Sequence, residues 1–294
     1  MLLYQALNIS RGDVVAFIGA GGKTATLLRL GDELTALGWR VLATTTNSLS
    51  ADKLALMPRA MSTHAGEYAI SQALSETGFV FLYDAIKQGD AYGAKPSWIV
   101  RLMDAVDSDV MLIEADSANG LPLKAPYDHE PLFPPETSLV VPTVSLSVLG
   151  QPLDEDHVYN ADAIIARYGF PHEGRIRAPW VAQILRDESL GLKGIPDKAR
   201  VVAYLNGTTT TQYGRNRARL IAKLALKNSR LSGVVMGNAR ATEPVYEIQR
   251  PLGAIVLAAG LSSRMGQSKI LLPWSDDKTI IEHITDQLIR ARIE

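Results

Sequence analysis

Cysteine is absent from the 294 residues, which excludes disulfides, thiolate metal sites and a cysteine nucleophile. Charge of one sign is not in excess either. Thirty Lys and Arg against 31 Asp and Glu leave a formal net charge of −1, so no basic field draws nucleic acid or an anionic membrane surface. No apolar run reaches the roughly 18 residues that a spanning helix needs, and the first residues show no basic segment leading into an apolar signal core. There is no low-complexity tract and no short repeat of fixed period. The expectation is a soluble cytoplasmic protein with no nucleic-acid partner and no membrane partner. The chain is 47% apolar, enough to bury a large core and, at this length, to form two domains.

Apolar, strand-like runs at 14–19, 40–45, 79–83, 109–115, 138–141, 200–205 and 232–236 alternate with helical patterns at 23–37, 65–76, 97–106, 157–168, 178–187 and 213–228. That ordering predicts an α/β fold, a wound parallel sheet flanked by helices. Residues 117–136 hold five of the fifteen prolines and read as a long irregular loop at the carboxyl end of a strand, where sites are often built.

One stretch dominates. FIGAGGKT, residues 17–24, sets Gly19, Ala20, Gly21, Gly22, Lys23 and Thr24 between an apolar strand and an amphipathic helix. Glycines let backbone amides turn toward an anion, the helix start adds partial positive charge, Lys23 adds a full one, and Thr24 can hold Mg²⁺. The loop is shorter than GxxxxGK[ST], whose first glycine would fall at Phe17. It predicts a P-loop-like nucleotide site.

A phosphate loop needs metal ligands opposite it. DVMLIEAD, from Asp109, ends an apolar strand with Glu114 and Asp116, where a Walker B acid would hold Mg²⁺ directly or through water. In VLATTTN, Thr45 and Thr46 end a strand expected beside the phosphate-loop strand, so their hydroxyls could also reach the metal. VVAYLNGTTTT has Gly207 and Thr209 where a guanine-reading NKxD signature would carry lysine and aspartate, so ATP is favoured over GTP.

GAGGKT, TTTN, EADSANGLPLKAP and the HEP at His129, Glu130 and Pro131 together resemble the YqeC-type family over about residues 1–250. This resemblance implies an accessory protein of selenium-dependent molybdenum hydroxylases, with a nucleotide-dependent role in maturing a selenium- or molybdenum-containing cofactor. It also implies partners of molybdopterin type and among hydroxylase maturation proteins. Lys124, His129 and Glu130 fit the family pattern and are expected to meet the substrate, with His129 also able to move protons near neutral pH.

A second motif, IVLAAGLSSRMGQSK from Ile255 to Lys269, fits LAAGxSxRMGxxK and follows a junction at Arg250, Pro251 and Leu252. It resembles the opening of MobA-like and molybdenum cofactor cytidylyltransferase domains. Ala259, Gly260, Ser262, Ser263, Arg264 and Lys269 are expected to cradle and neutralise a triphosphate, CTP included. Residues 253–294 are too few to close such a domain, so an incomplete Rossmann-like nucleotidyltransferase segment is expected, without transfer activity of its own.

The combined reading is a Mg²⁺- and ATP-dependent accessory protein in which Lys23, Glu114, Asp116 and His129 carry the chemistry. Two alternatives stand beside it. One is a non-catalytic, nucleotide-gated cofactor carrier; the other is a cytidylyltransferase whose catalytic domain is only partly present.

Overall fold

The computed structural model describes residues 1–257, 268–275 and 277–290. The chain divides into two compact units, Met1–Gln249 and Arg250–Glu294.

In the first unit, helix α1 (Leu3–Leu7) precedes β1 (Val14–Gly19), α2 (Lys23–Ala36), β2 (Val41–Thr45), β3 (Ala60–Ser62), α3 (Glu67–Thr77), β4 (Phe79–Tyr83) and α4 (Pro96–Ala105). Then come β5 (Val110–Glu114), β6 (Leu139–Ser145), α5 (Ala161–Tyr168), α6 (Ala178–Leu185), β7 (Arg200–Asn206), α7 (Gln212–Ala225), β8 (Gly233–Gly237) and β9 (Val245–Gln249). The nine strands form one sheet in the order β9-β8-β7-β6-β1-β5-β2-β4-β3, parallel throughout except for β9, which runs antiparallel to β8.

Burial on both faces explains why the inner strands are continuous apolar runs. Along β1, Val15 and Phe17 pack with Leu27, Leu30 and Leu34 of α2, while Val14, Ala16 and Ile18 face Ile70 of α3 and Leu102 of α4. Along β7, Val202 and Tyr204 share the α2 face, and Val201, Ala203 and Leu205 pack with Val181 of α6 and Ile221 of α7. All seven expected strands and all six expected helices are present, with ends shifted by a few residues. The two strands of this sheet that were not expected, β3 and β9, are its edges. Their largely half-buried residues give no run of apolar side chains to detect.

Two expectations are corrected. β2 does not lie beside β1, because β5 is inserted between them, with Phe17 opposite Glu114 on one side and Thr45 opposite Glu114 on the other. Residues 117–136 are not wholly irregular, since Leu123–Lys124 pairs in parallel with Val158–Tyr159.

Helix α2 approaches the sheet closely at Gly31, where an added Cβ would lie 2.1 Å from Cε1 of the buried Phe79 ring. Gly31→Ala should therefore destabilise by about 1–3 kcal/mol through overpacking, despite alanine's better helix propensity, and a urea midpoint checks it.

The second unit contains a short helical turn, Lys269–Leu271, a hairpin of Pro273–Ser275 with Lys278–Thr279, and helix α8 (Ile280–Arg290). Trp274 stacks on His283, with ring centroids 4.4 Å apart. Of the second motif, Lys269 opens the helical turn. Ala259, Gly260, Ser262, Ser263 and Arg264 lie outside the described residues. Among the described residues no helix is long and apolar enough to cross a membrane.

Candidate nucleotide site

β1 ends at Gly19 and α2 begins at Lys23, so Ala20, Gly21 and Gly22 make the whole connection. Gly21 (φ +76°) and Gly22 (φ +135°) occupy backbone conformations that side chains disfavour. There is also no room. An added Cβ would stand 2.3 Å from Ser145 Cβ at Gly21 and 2.1 Å from Asn206 Nδ2 at Gly22.

The amide groups of this loop divide into two sets. Gly19 donates to Asp116 Oδ2 at 2.8 Å and Ala20 donates to the Thr143 carbonyl at 2.8 Å. Gly19 and Ala20 are thus corrected from ligand contacts to anchors, since their donors are consumed by neighbouring strand ends. The amides of Gly21, Gly22, Lys23, Thr24 and Ala25 have no acceptor among the described residues, and no side chain caps α2. A helix start with free amides and no capping side chain favours negative charge beside it.

Those five residues line a cleft of about 730 Å³ at the carboxyl end of the sheet. Glu114 and Asp116 line it too, as do Asn206 and Asn238 from β7 and the end of β8. The two acids behave differently. Asp116 Oδ1 lies 2.9 Å from Lys23 Nζ, at an angle that makes it an ion pair rather than a hydrogen bond, and Oδ2 lies 3.2 Å from Lys124 Nζ. Lys23 also donates to the Gly19 carbonyl. Lys124 continues the chain of charge to Glu130 Oε2 at 2.7 Å and sits 4.9 Å from the centre of the Tyr159 ring. Two ammoniums and two carboxylates balance in this chain. Glu114, 5% exposed and with Oε1 unpartnered, is the acid left over. A buried carboxylate oxygen without a donor is costly and fits a hard cation.

Other expected site residues are placed elsewhere. Thr45 Oγ1 donates to the Glu114 carbonyl at 3.0 Å, Thr46 Oγ1 donates to the Leu132 carbonyl at 3.1 Å, and neither threonine lines the cleft. Both brace backbone because β2 is one strand further from the loop than expected. His129 is corrected as a catalytic candidate. It is exposed, stacks on Tyr127 with centroids 6.1 Å apart, and does not line the cleft. Lys124 and Glu130 are 5% and 3% exposed and absent from the cleft lining, so they support Asp116 and the Ser117 amide, which donates to Glu130 Oε1 at 3.1 Å. Thr24 lines the cleft, its hydroxyl unpaired among the described residues. Among the described residues no three acidic or histidine side chains converge. Magnesium suits such a sparse set, because it commonly takes one or two carboxylates plus phosphate oxygens and waters.

Asn206 was missed by reading motifs, and its Nδ2 donates to the Gly21 carbonyl at 2.8 Å. Its one visible signal was a polar residue closing an apolar parallel strand.

A parallel sheet covered by helices on both faces, with an uncapped glycine loop at the carboxyl end of a central strand, defines the P-loop-like α/β class. The model of the YqeC protein family matches residues 15–162, and that of the MobA-like NTP transferase domain matches residues 254–294. The protein YqeC of Escherichia coli (strain K12) is 30% identical over 207 residues, covering 67% of this chain and 76% of that protein. The chain belongs to the YqeC family. A crystal structure of FtsY from Mycoplasma mycoides aligns with a TM-score of 0.31 at 14% identity, over 81% of this chain and 59% of that one.

Burial opposes ionisation of Glu130, but the hydrogen bond and charge of Lys124, with the Ser117 amide, outweigh it and hold the carboxyl below the ordinary 4.5. A depressed acid stabilises fully above its unfolded value and loses that contribution as pH falls through the native one. Glu130→Gln should cost roughly 3 kcal/mol at neutral pH, and the difference from wild type should vanish well below pH 4.5. Urea unfolding of both proteins across pH 3–7 measures it.

Proposed function

We propose that the cleft binds a nucleoside triphosphate with Mg²⁺, ATP foremost, and that the protein is a nucleotide-dependent accessory factor in maturing the cofactor of molybdenum hydroxylases. The observation that carries this reading is the meeting, in one cleft, of five unpaired amides at Gly21–Ala25 with the unpartnered oxygen of Glu114. Phosphate oxygens would take the amides. Glu114 and the Thr24 hydroxyl would hold Mg²⁺, which when bound supplies charge neutralisation for the phosphates. Lys23 would exchange its pairing with Asp116 for the phosphate chain, while the Gly19 amide and Lys124 keep the Asp116 side chain in place.

Family membership and the nucleotide-transferase segment at 254–294 support a role tied to a nucleotide and a cofactor. Hydrolysis or activation of an acceptor group is the reaction type proposed; selenium or molybdenum chemistry, and CTP at the second motif, belong to the same proposal.

One feature favours the non-catalytic carrier as a second reading. Asp116 joins Lys23 to the segment from Ser117 to Glu130 through Lys124, so a change at Lys23 is transmitted to that loop without any chemical step.

Calorimetric titration of ATP, GTP and CTP, with and without Mg²⁺, tests the site. Lys23→Ala should weaken triphosphate binding by about 30-fold, the worth of a charge-assisted contact of about 2 kcal/mol. Glu114→Gln should make affinity insensitive to Mg²⁺. Unchanged binding in Lys23→Ala would sink the reading, and turnover stimulated by a molybdopterin-type cofactor would separate the enzyme from the carrier.

A further inference from the structure

Asn206 closes β7, two strands from β1, yet its side chain spans the gap to the phosphate loop. Nδ2 donates to the Gly21 carbonyl at 2.8 Å, and Oδ1 accepts the Ala239 amide at 3.1 Å. The fit is tight, because the same Nδ2 occupies the space a Gly22 Cβ would need. A second tie runs parallel to this one. Arg29 on α2 donates from Nη1 to the Ala241 carbonyl at 3.1 Å and from Nη2 to the Thr242 carbonyl at 3.0 Å, with Nε held by Glu33 at 2.8 Å. The phosphate loop with its helix and the segment 239–242 are thereby pinned together at four hydrogen bonds.

The pinned segment is a wall of the cleft, through Asn238, Ala239 and Arg240. It is provided with groups that no described residue uses. Asn238 Oδ1 accepts the Arg240 amide at 3.0 Å, which leaves its NH₂ to donate, and the exposed Arg240 guanidinium has no partner among the described residues. Strand order then gives the cleft a direction. Glu114, the metal-suited acid, stands on the β5 side of the phosphate loop, whereas Asn238–Arg240 stand on the opposite side, past β6 and β7 at the end of β8. A nucleotide whose phosphates lie on Gly21–Ala25 with the metal toward Glu114 has its remaining end directed to that wall.

We infer that Asn206 is a positioning residue that sets the phosphate loop against the Asn238–Arg240 wall, and that this wall receives the nucleoside of the bound nucleotide. Arg240 offers a flat cation for a base to stack on, and the Asn238 NH₂ offers one donor to a ring nitrogen or carbonyl. The inference rests on the nucleotide reading of the cleft. It adds which end of the ligand lies where, and which residues sense the nucleoside as opposed to the phosphates.

The probes that separate the two ends are Mg·ATP and Mg·tripolyphosphate, the latter having no nucleoside. Asn206→Ala should weaken both by the same factor, about tenfold, because loop geometry serves the phosphates that both carry. Arg240→Ala should weaken ATP by about fivefold and leave tripolyphosphate unchanged. An Asn206→Ala protein that binds tripolyphosphate like wild type, or an Arg240→Ala protein whose two affinities fall together or not at all, overturns the inference. Should Asn206→Ala fail to fold, the exposed Arg240 still decides the location of the nucleoside. Wild type that binds neither probe defeats the nucleotide reading itself, and that result is distinct from wild-type binding with indifferent Asn206 and Arg240 variants, which defeats only the placement of the nucleoside.

Discussion

Asp116 is the residue around which the site is arranged. Its carboxylate receives the Gly19 amide and two ammoniums, Lys23 and Lys124, while 4% exposed. The side chain is held there because its partners are fixed by different elements: Gly19 by β1, Lys23 by the first turn of α2, and Lys124 by the short pairing of residues 123–124 with 158–159. The loop between β1 and α2 is therefore held from beneath by a side chain that follows the neighbouring strand. Removing the carboxylate would leave two buried cations facing one another.

Glu114 gains its meaning from that arrangement. Asp116 is paired with two ammoniums, so on the proposed reading the acid open to a metal is Glu114, two residues earlier and opposite Phe17. Charge balance thus picks one carboxylate from a pair that spacing alone could not tell apart. The same logic removes Lys124 and Glu130 from direct ligand contact and makes them the outer links of the chain that steadies Asp116.

Much of this was legible in the sequence, and the failures share one cause. GAGGKT and DVMLIEAD disclose a strand, a loop and an acid-ended strand because apolar runs and glycines reflect local requirements of backbone and burial. The neighbour relations among strands are not local. They depend on how each crossover returns to the sheet, and the insertion of β5 between β1 and β2 turned Thr45 and Thr46 from expected ligands into backbone braces. His129 misled for a related reason, since a place in the HEP pattern says nothing about side-chain direction: Glu130 turns inward and His129 outward onto Tyr127. Asn206 escaped because its partners, Gly21 and Ala239, lie 185 and 33 residues away.

The inward pose of Lys23 has a kinetic consequence. An ammonium that is 6% exposed and already engaged by Asp116 and the Gly19 carbonyl has to disengage before it can greet an arriving polyanion. On the proposed nucleotide reading, capture would be a two-stage event, in which the observed association rate climbs with ligand concentration only until it meets the frequency at which the amine swings free. High salt would slow the encounter and leave that plateau in place, because the limiting motion occurs out of reach of the ionic atmosphere.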